Sequence, residues 1–317
     1  MASAVSADSA KRALLERLVD DASLFPPAAL PMRPAVRRHA RHGESAYWWV
    51  GGRFVVPASR LNEFVSVRAV EKDPIELSVI LDGGALGAKG DTVRADLDRA
   101  ERVRALPGVT VASFEARLPQ LPLDEATLLR VAGEIAARFP DGEVSFWYES
   151  AYDRAWATPP DAWLGVVAAA RASAPANVRL GAKVRCAGAV PGATPSVDDL
   201  AAFVVAAQAH DVPWKATAGL HHPIRGAHSE AVVQHGFVNL FFAGIALHAG
   251  VLDATRVAEV LAEDDPRAFV VDPTHLAWKG VRVEAEQVAA ARERCVSFGS
   301  CSFDEPVNDL RELGILS

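Results

Sequence analysis

Cysteine, methionine and lysine are scarce in this chain of 317 residues, which has three cysteines and two methionines. Cys186, Cys295 and Cys301 form no CxxC pair, and their number is odd. Both facts argue against a disulfide scaffold and against a four-cysteine zinc site. No GxGxxG follows the first strand-like run, and no GxxxxGK[ST] occurs anywhere. The dinucleotide-fingerprint and Walker A readings therefore lose their usual support. HExxH is absent too. Long apolar runs are also missing. The most apolar stretch, 237–252, is interrupted by Asn239 and His248 and is too short and polar to span a membrane. The first 22 residues, MASAVSADSAKRALLERLVDDA, lack the apolar core of a signal peptide.

No basic stripe is present either. The formal net charge is −7, and arginines are interspersed with Asp and Glu. That balance argues against nucleic acid and against an anionic membrane surface as partners. It leaves room for a local basic pocket that holds a small anionic metabolite. These absences together read as a cytoplasmic protein. Apolar stripes on its helices are compatible with a homo-oligomer.

What is present is a hydrophobic half of the sequence and a regular alternation of short apolar runs with helix-period segments. The first nine residues read as loose, and 11–19 as a short amphipathic helix. Pro26 and Pro27 then interrupt regular structure. The run GGRFVVP from Gly51 makes a hairpin arm or a first strand. Strands are expected at IELSVILDG, VTVASFEARLP, EVSFWYES, VRLGAKVRCAG and VPWKATAGL, and helices lie between them. Further strands are expected near 237–242 and at AFVVDPTHLAWKG, then a last helix at EAEQVAAARERCVSFG. The count of about eight predicts parallel strands with crossover helices in a (β/α)8 TIM-like barrel, with irregularities allowed. The expected layout is one domain: an N-terminal arm over 1–50, the barrel over 51–295 and a C-terminal tail over 296–317.

Lysine scarcity makes two positions informative. Of 33 basic residues six are lysines, and Lys183 and Lys215 lie inside apolar strands. An unpaired ammonium is expensive to bury, so such a lysine is paired or working. Strand alternation puts Gly181, Lys183 and Arg185 on one face, and Lys215, Thr217 and Gly219 on one face of the next strand. Two cations on one face need an anion between them, either a substrate carboxylate or phosphate or a neighbouring Glu. Asp82, Glu115 and Glu149 stand at strand ends as partners or as acid–base groups. Glu149 is the favoured one, beside the Lys183 strand. His221 and His222 follow the Lys215 strand and point to opposite sides of an extended segment. Cys301, in FGSCSFDEP, lies in a backbone-rich turn able to take an anion through N–H groups. The stretch Asp20 to Pro27 is expected to cover one mouth of the barrel.

Four segments, LVDDASLFPPAALP, GGRFVVPASRL, VPWKATAGLHHPIR and FGSCSFDEP, look like an uncharacterised bacterial family, a likeness that brings no activity with it. More locally, Lys215-Ala-Thr-Ala-Gly219 resembles the Lys-Thr-Ser-Thr-Gly strand of the deoxyribose-phosphate aldolase family. The resemblance implies that Lys215 forms a Schiff base. That family carries a second, tuning lysine on the following strand. Here the nearest counterpart, Lys183, is on the preceding one, and alanine replaces two hydroxyl residues.

The resulting expectation is a lyase of class I aldolase type with no cofactor. Lys215 is the nucleophile, Lys183 and Arg185 lower its proton affinity, Glu149 or His221 moves protons, and Arg185 holds the substrate anion. Thr217, His222, Asp82, Glu115 and Cys301 complete the substrate-binding set. One rival is a metal-dependent isomerase, lyase or hydrolase with a divalent ion among His221, His222, His235, His275 and Glu149. Another is a non-catalytic barrel that binds a small molecule.

Overall fold

Strand-forming stretches such as IELSVIL and VSFWYE are rich in β-branched and aromatic residues, and each gives way to a helix-period segment. In the computed structural model these stretches pair in parallel. The structure describes residues 9–83, 90–117, 123–150, 152, 155–156, 158–187, 194–228 and 233–317. Residues 1–8, most of the stretch expected to be loose, lie outside the described set.

Eight strands close into one barrel. They are β1 (Val19–Asp21), β2 (Gly51–Pro57), β3 (Ile75–Leu81), β4 (Val109–Arg117), β5 (Val144–Glu149), β6 (Val178–Arg185), β7 (Trp214–Thr217) and β8 (Cys295–Ser300). Each pairs in parallel with its successor, and β8 returns to β1. Helices occupy the connections, so the fold is a (β/α)8 barrel. Among the described residues no helix is long and apolar enough to cross a membrane.

Local sequence signals fix two of the helix starts. Ser196 and Asp199 form a reciprocal capping box at Val197–Ala209. Pro160 occupies the first turn of Pro160–Ser173, where its missing N–H costs nothing.

The barrel differs from expectation at its seam. The expected arm holds β1, and β8 straddles the expected end of the barrel, so the wall runs from Val19 to Ser300. Phe237–His248 is a helix, not a strand. It is apolar on nearly every side and buried, so periodicity could not separate the two states. Its one polar core residue, Asn239, is satisfied: Oδ1 accepts from the Arg225 N–H at 3.0 Å, and Nδ2 donates to the Val260 and Glu263 carbonyls at 2.8 Å each.

The stretch expected as one barrel strand at 268–280 instead supplies two strands of a three-stranded antiparallel sheet outside the wall. Lys279 and Gly280 both have positive φ, 38° and 83°, in the two-residue turn between His275–Trp278 and Val281–Glu284. Such a turn joins antiparallel neighbours only. The expected last helix stops at Arg292, and β8 begins three residues later. The buried Arg292 guanidinium donates to the carbonyls of Ala13 at 3.1 Å, Glu16 at 3.0 Å and Val296 at 2.5 Å. It thereby ties the start of the chain to the last strand.

Candidate functional site

Parallel register carries inward-facing residues from strand to strand. Glu115 stands beside Trp147 and Trp147 beside Gly181. One step nearer the C-terminal rim, Glu149 is beside Lys183 and Lys183 beside Lys215. Above them come Arg185, Thr217, Gly299 and Asp20. Gly181 makes room for the Trp147 ring, since a Cβ there would lie 2.3 Å from Cζ3 and 2.6 Å from the Pro213 carbonyl.

The charged side chains form a ladder of alternating sign across the interior. Lys215 Nζ donates to Asp20 Oδ2 and to Glu115 Oε1, both at 2.7 Å. The other oxygen of Glu115 lies 2.7 Å from Lys183 Nζ, which reaches Glu149 Oε2 at 2.8 Å. Arg185 Nε donates to Glu149 Oε1 at 2.9 Å, and Arg117 stands 3.5 Å from the same oxygen. Asp20, Lys215, Glu115, Lys183 and Glu149 are 0%, 1%, 2%, 4% and 5% exposed. Hydroxyls satisfy remaining lone pairs. Ser78 donates to Glu115 Oε1 at 2.6 Å and Ser297 to Asp20 Oδ2 at 2.8 Å, while Ser113 donates to Ser78 at 2.6 Å.

Burial alone would raise the Glu149 carboxyl, but Lys183 and Arg185 bring it down to about 2. Glu115 and Asp20 are likewise held below the ordinary range against burial, by the two lysines and by Lys215 with Arg53 respectively. Burial would lower Lys183, and Glu115 and Glu149 more than offset it, so its ammonium form is favoured.

The anion between Lys183 and Arg185 is therefore a neighbouring Glu, Glu149, and Glu115 plays the same part between Lys183 and Lys215. The expected cation–cation repulsion, with Lys183 and Arg185 working on Lys215, is replaced by attraction through Glu115.

A second group gathers where β7 and β8 end. His221 Nδ1 is 2.9 Å from Glu305 Oε2 and 3.9 Å from Cys301 Sγ. The sulfur contact raises His221, burial lowers it and Glu305 adds to the rise, leaving it at about 9. His222 Nδ1 is 2.6 Å from Asp309 and its ring stacks on His228. Both histidines thus engage acidic residues of one helix, Asp304–Glu312, which is not the expected opposite-sided arrangement. Burial raises Cys186 and Cys295 to about 12, which leaves neither poised as a thiolate.

Other expected site residues stand apart from the ladder. Asp82 is exposed and accepts from the Ser59 N–H and hydroxyl. His235 directly precedes Gly236, the N-cap of the helix Phe237–His248, and contacts the Pro195 carbonyl at 2.8 Å. His275 sits in the outer antiparallel sheet beside Asp272. His221, His222, His235, His275 and Glu149 form no metal-ligand group among the described residues. The group that does form is Asp21, His39 and His42.

That group was missed in sequence because 32–42 lies past the proline break. Its helix, Met32–His42, puts the two histidines on one face, at spacing i, i+3. Asp20 belongs to the wall and not to a covering arm, because β1 alternation turns it inward and Asp21 outward. Ser78, Ser113, Ser297 and Glu305 carried no signal beyond being polar in or beside strands and loops.

The chain matches no family model and no curated protein.

Proposed function

We propose that the protein is a Schiff-base lyase of class I aldolase type, acting on a small carbonyl compound that bears a carboxylate or phosphate. The observation that carries the reading is Glu115 bridging Lys215 and Lys183 at 2.7 Å on each side, deep in the barrel. A purely structural ladder gains little over an apolar core of the same volume, because desolvation offsets most of the Coulomb attraction. A bridging carboxylate between two amines, however, can take a proton from one without changing the net charge of the ladder.

In this reading Lys215 passes a proton to Glu115 or Asp20, a step uphill from the ionised resting state of both carboxyls, and the neutral amine adds to the substrate carbonyl carbon. The carbinolamine takes a proton back at oxygen and loses water to give an iminium. The adjacent carbon–carbon bond then breaks. Its electron pair moves into the iminium to form an enamine, and the departing fragment becomes a carbonyl as a carboxylate accepts its hydroxyl proton. Protonation of the enamine carbon and addition of water release the second product and restore the amine. Arg185 and Arg117, which share Glu149 at the rim, supply the cationic groups for the substrate anion.

Borohydride reduction of the full-length protein with a panel of small aldehydes and ketones, half of them carrying carboxylate or phosphate, tests the reading. The expected result is a reduced adduct on Lys215, absent from Lys215→Ala and favoured by the anionic members. Peptide mapping that finds adducts on surface lysines alone, or on none, overturns the reading.

A further inference from the structure

Asp20 and Asp21 are consecutive in β1 and serve opposite faces of the barrel wall. Asp20 meets Lys215 inside. Outside, Asp21 Oδ2 lies 3.2 Å from His39 Nδ1 and 3.7 Å from His42 Nδ1. The three ligand atoms all fall within 4.8 Å of one another. The other oxygen, Oδ1, accepts from the Ser23 N–H at 2.9 Å, which fixes the carboxylate plane. Phe303 stacks on the His42 ring with centroids 4.3 Å apart, and Phe54 packs edge-on against His39 at 5.4 Å.

Hydrogen bonding accounts for only one of the two imidazole contacts. At 3.7 Å the His42 nitrogen is beyond hydrogen-bond range of the oxygen it faces. A tetrahedral ion with bonds of about 2.0–2.1 Å sets its ligands about 3.3–3.4 Å apart, between the two separations seen here. The group also opens onto a cavity of about 820 Å³ between the barrel wall and the helix Met32–His42, where Arg17, Arg41 and Glu44 add polar groups.

We infer that Asp21, His39 and His42 bind a divalent transition-metal ion of the zinc type, with the fourth coordination position facing this cavity. Two imidazoles and one carboxylate suit zinc, cobalt or nickel, whereas magnesium and calcium prefer all-oxygen sets. Three protein ligands beside an open cavity leave room for water or a small donor ligand. The inference is independent of the Schiff-base reading, since it concerns the other face of β1.

The test uses the full-length protein after chelator treatment, titrated with Co²⁺ and followed by visible d–d absorption, then challenged with Zn²⁺. The expected result is one Co²⁺ per chain with the strong bands of tetrahedral geometry, displaced by Zn²⁺. His39→Ala and His42→Ala should weaken binding by at least the about 10–100-fold that loss of an outer partner costs, and His275→Ala should leave it unchanged. Millimolar binding without tetrahedral bands, or equal binding by His42→Ala, overturns the inference. Thermal melts without metal check that the variants fold. If the alanine variants do not, the near-isosteric Asp21→Asn decides: weakened Co²⁺ binding supports the site and unchanged binding overturns it.

Discussion

Two adjacent aspartates, both almost fully buried, occupy opposite electrostatic settings. Asp20 ends a ladder in which every carboxylate has a cation at salt-bridge distance and hydroxyls take up remaining lone pairs. Asp21 faces two imidazoles and a cavity. For Asp21, burial raises the carboxyl and the hydrogen bond from His39 leads the groups that lower it. Burial takes His42 down to about 4, against the pull of Asp21, which keeps its ring neutral at physiological pH. The inner face is saturated with protein charge, whereas the outer face has a carboxylate and the neutral His42 ring beside a cavity. Burial therefore does not say what a carboxylate is for; the number and charge of its partners does.

The largest expected effect that sharpens this contrast is the pair Asp20→Asn and Asp21→Asn, compared by urea unfolding without metal. Removing the Asp20 charge leaves the ladder with an uncompensated buried cation, a change that costs about 3–5 kcal/mol. Asp21→Asn keeps the acceptor for Ser23 and removes no partner of a fixed cation, so about 1 kcal/mol is expected. Equal losses would erase the distinction between the two faces.

Next in size is Gly181→Ala. Its methyl group would meet the Trp147 ring and the Pro213 carbonyl inside the barrel, and overpacking of this kind costs about 1–3 kcal/mol. The same measurement made with Trp147→Leu in the background should recover part of that loss. No recovery would mean that the backbone contact, not the ring, sets the cost.

The pH dependence of stability has two limbs, of which the alkaline one is the smallest effect expected. Glu149 is depressed from 4.5 to about 2, so its contribution is complete above about pH 4.5 and is lost as pH falls toward 2. His221 has the opposite sign. Raised from 6.5 to about 9, it contributes fully below about pH 6.5, and that contribution is lost as pH rises through 9. The ring is partly exposed, so after screening about 1 kcal/mol is expected on this alkaline limb. Melting curves of Glu305→Gln should shrink it, the Cys301 contribution remaining, and leave the acid limb intact; an alkaline limb unchanged in this variant would show that Glu305 has no part in it.

Much of the barrel was legible from residue 51 to Thr217. There the strands are short β-branched or aromatic runs, and the helices between them repeat at their own period. Legibility failed where local pattern is degenerate. FVNLFFAGIALH is apolar in any periodicity. The Val19–Asp21 strand is only three residues long and polar at two of them. The eightfold count was right, but two of the strands counted were wrong: an outer hairpin and a helix stood in for the first and last barrel strands.

Alternation along Val178–Arg185 and Trp214–Thr217 gave Lys183 and Lys215 a shared inward face, and apolar surroundings implied that each ammonium had a partner. Those two features follow from strand geometry and the cost of burying charge, and one chain segment suffices to read them. The identity of the partners does not follow. Glu115, Asp20 and Ser297 are drawn from strands up to 277 residues apart, and only closure of β8 onto β1 brings them to the lysines. The Asp21–His39–His42 group likewise exists because a helix after the proline break folds back over β1. Side-chain type and alternation are local properties, but convergence depends on register across the whole wall, and that register is settled only when the barrel closes.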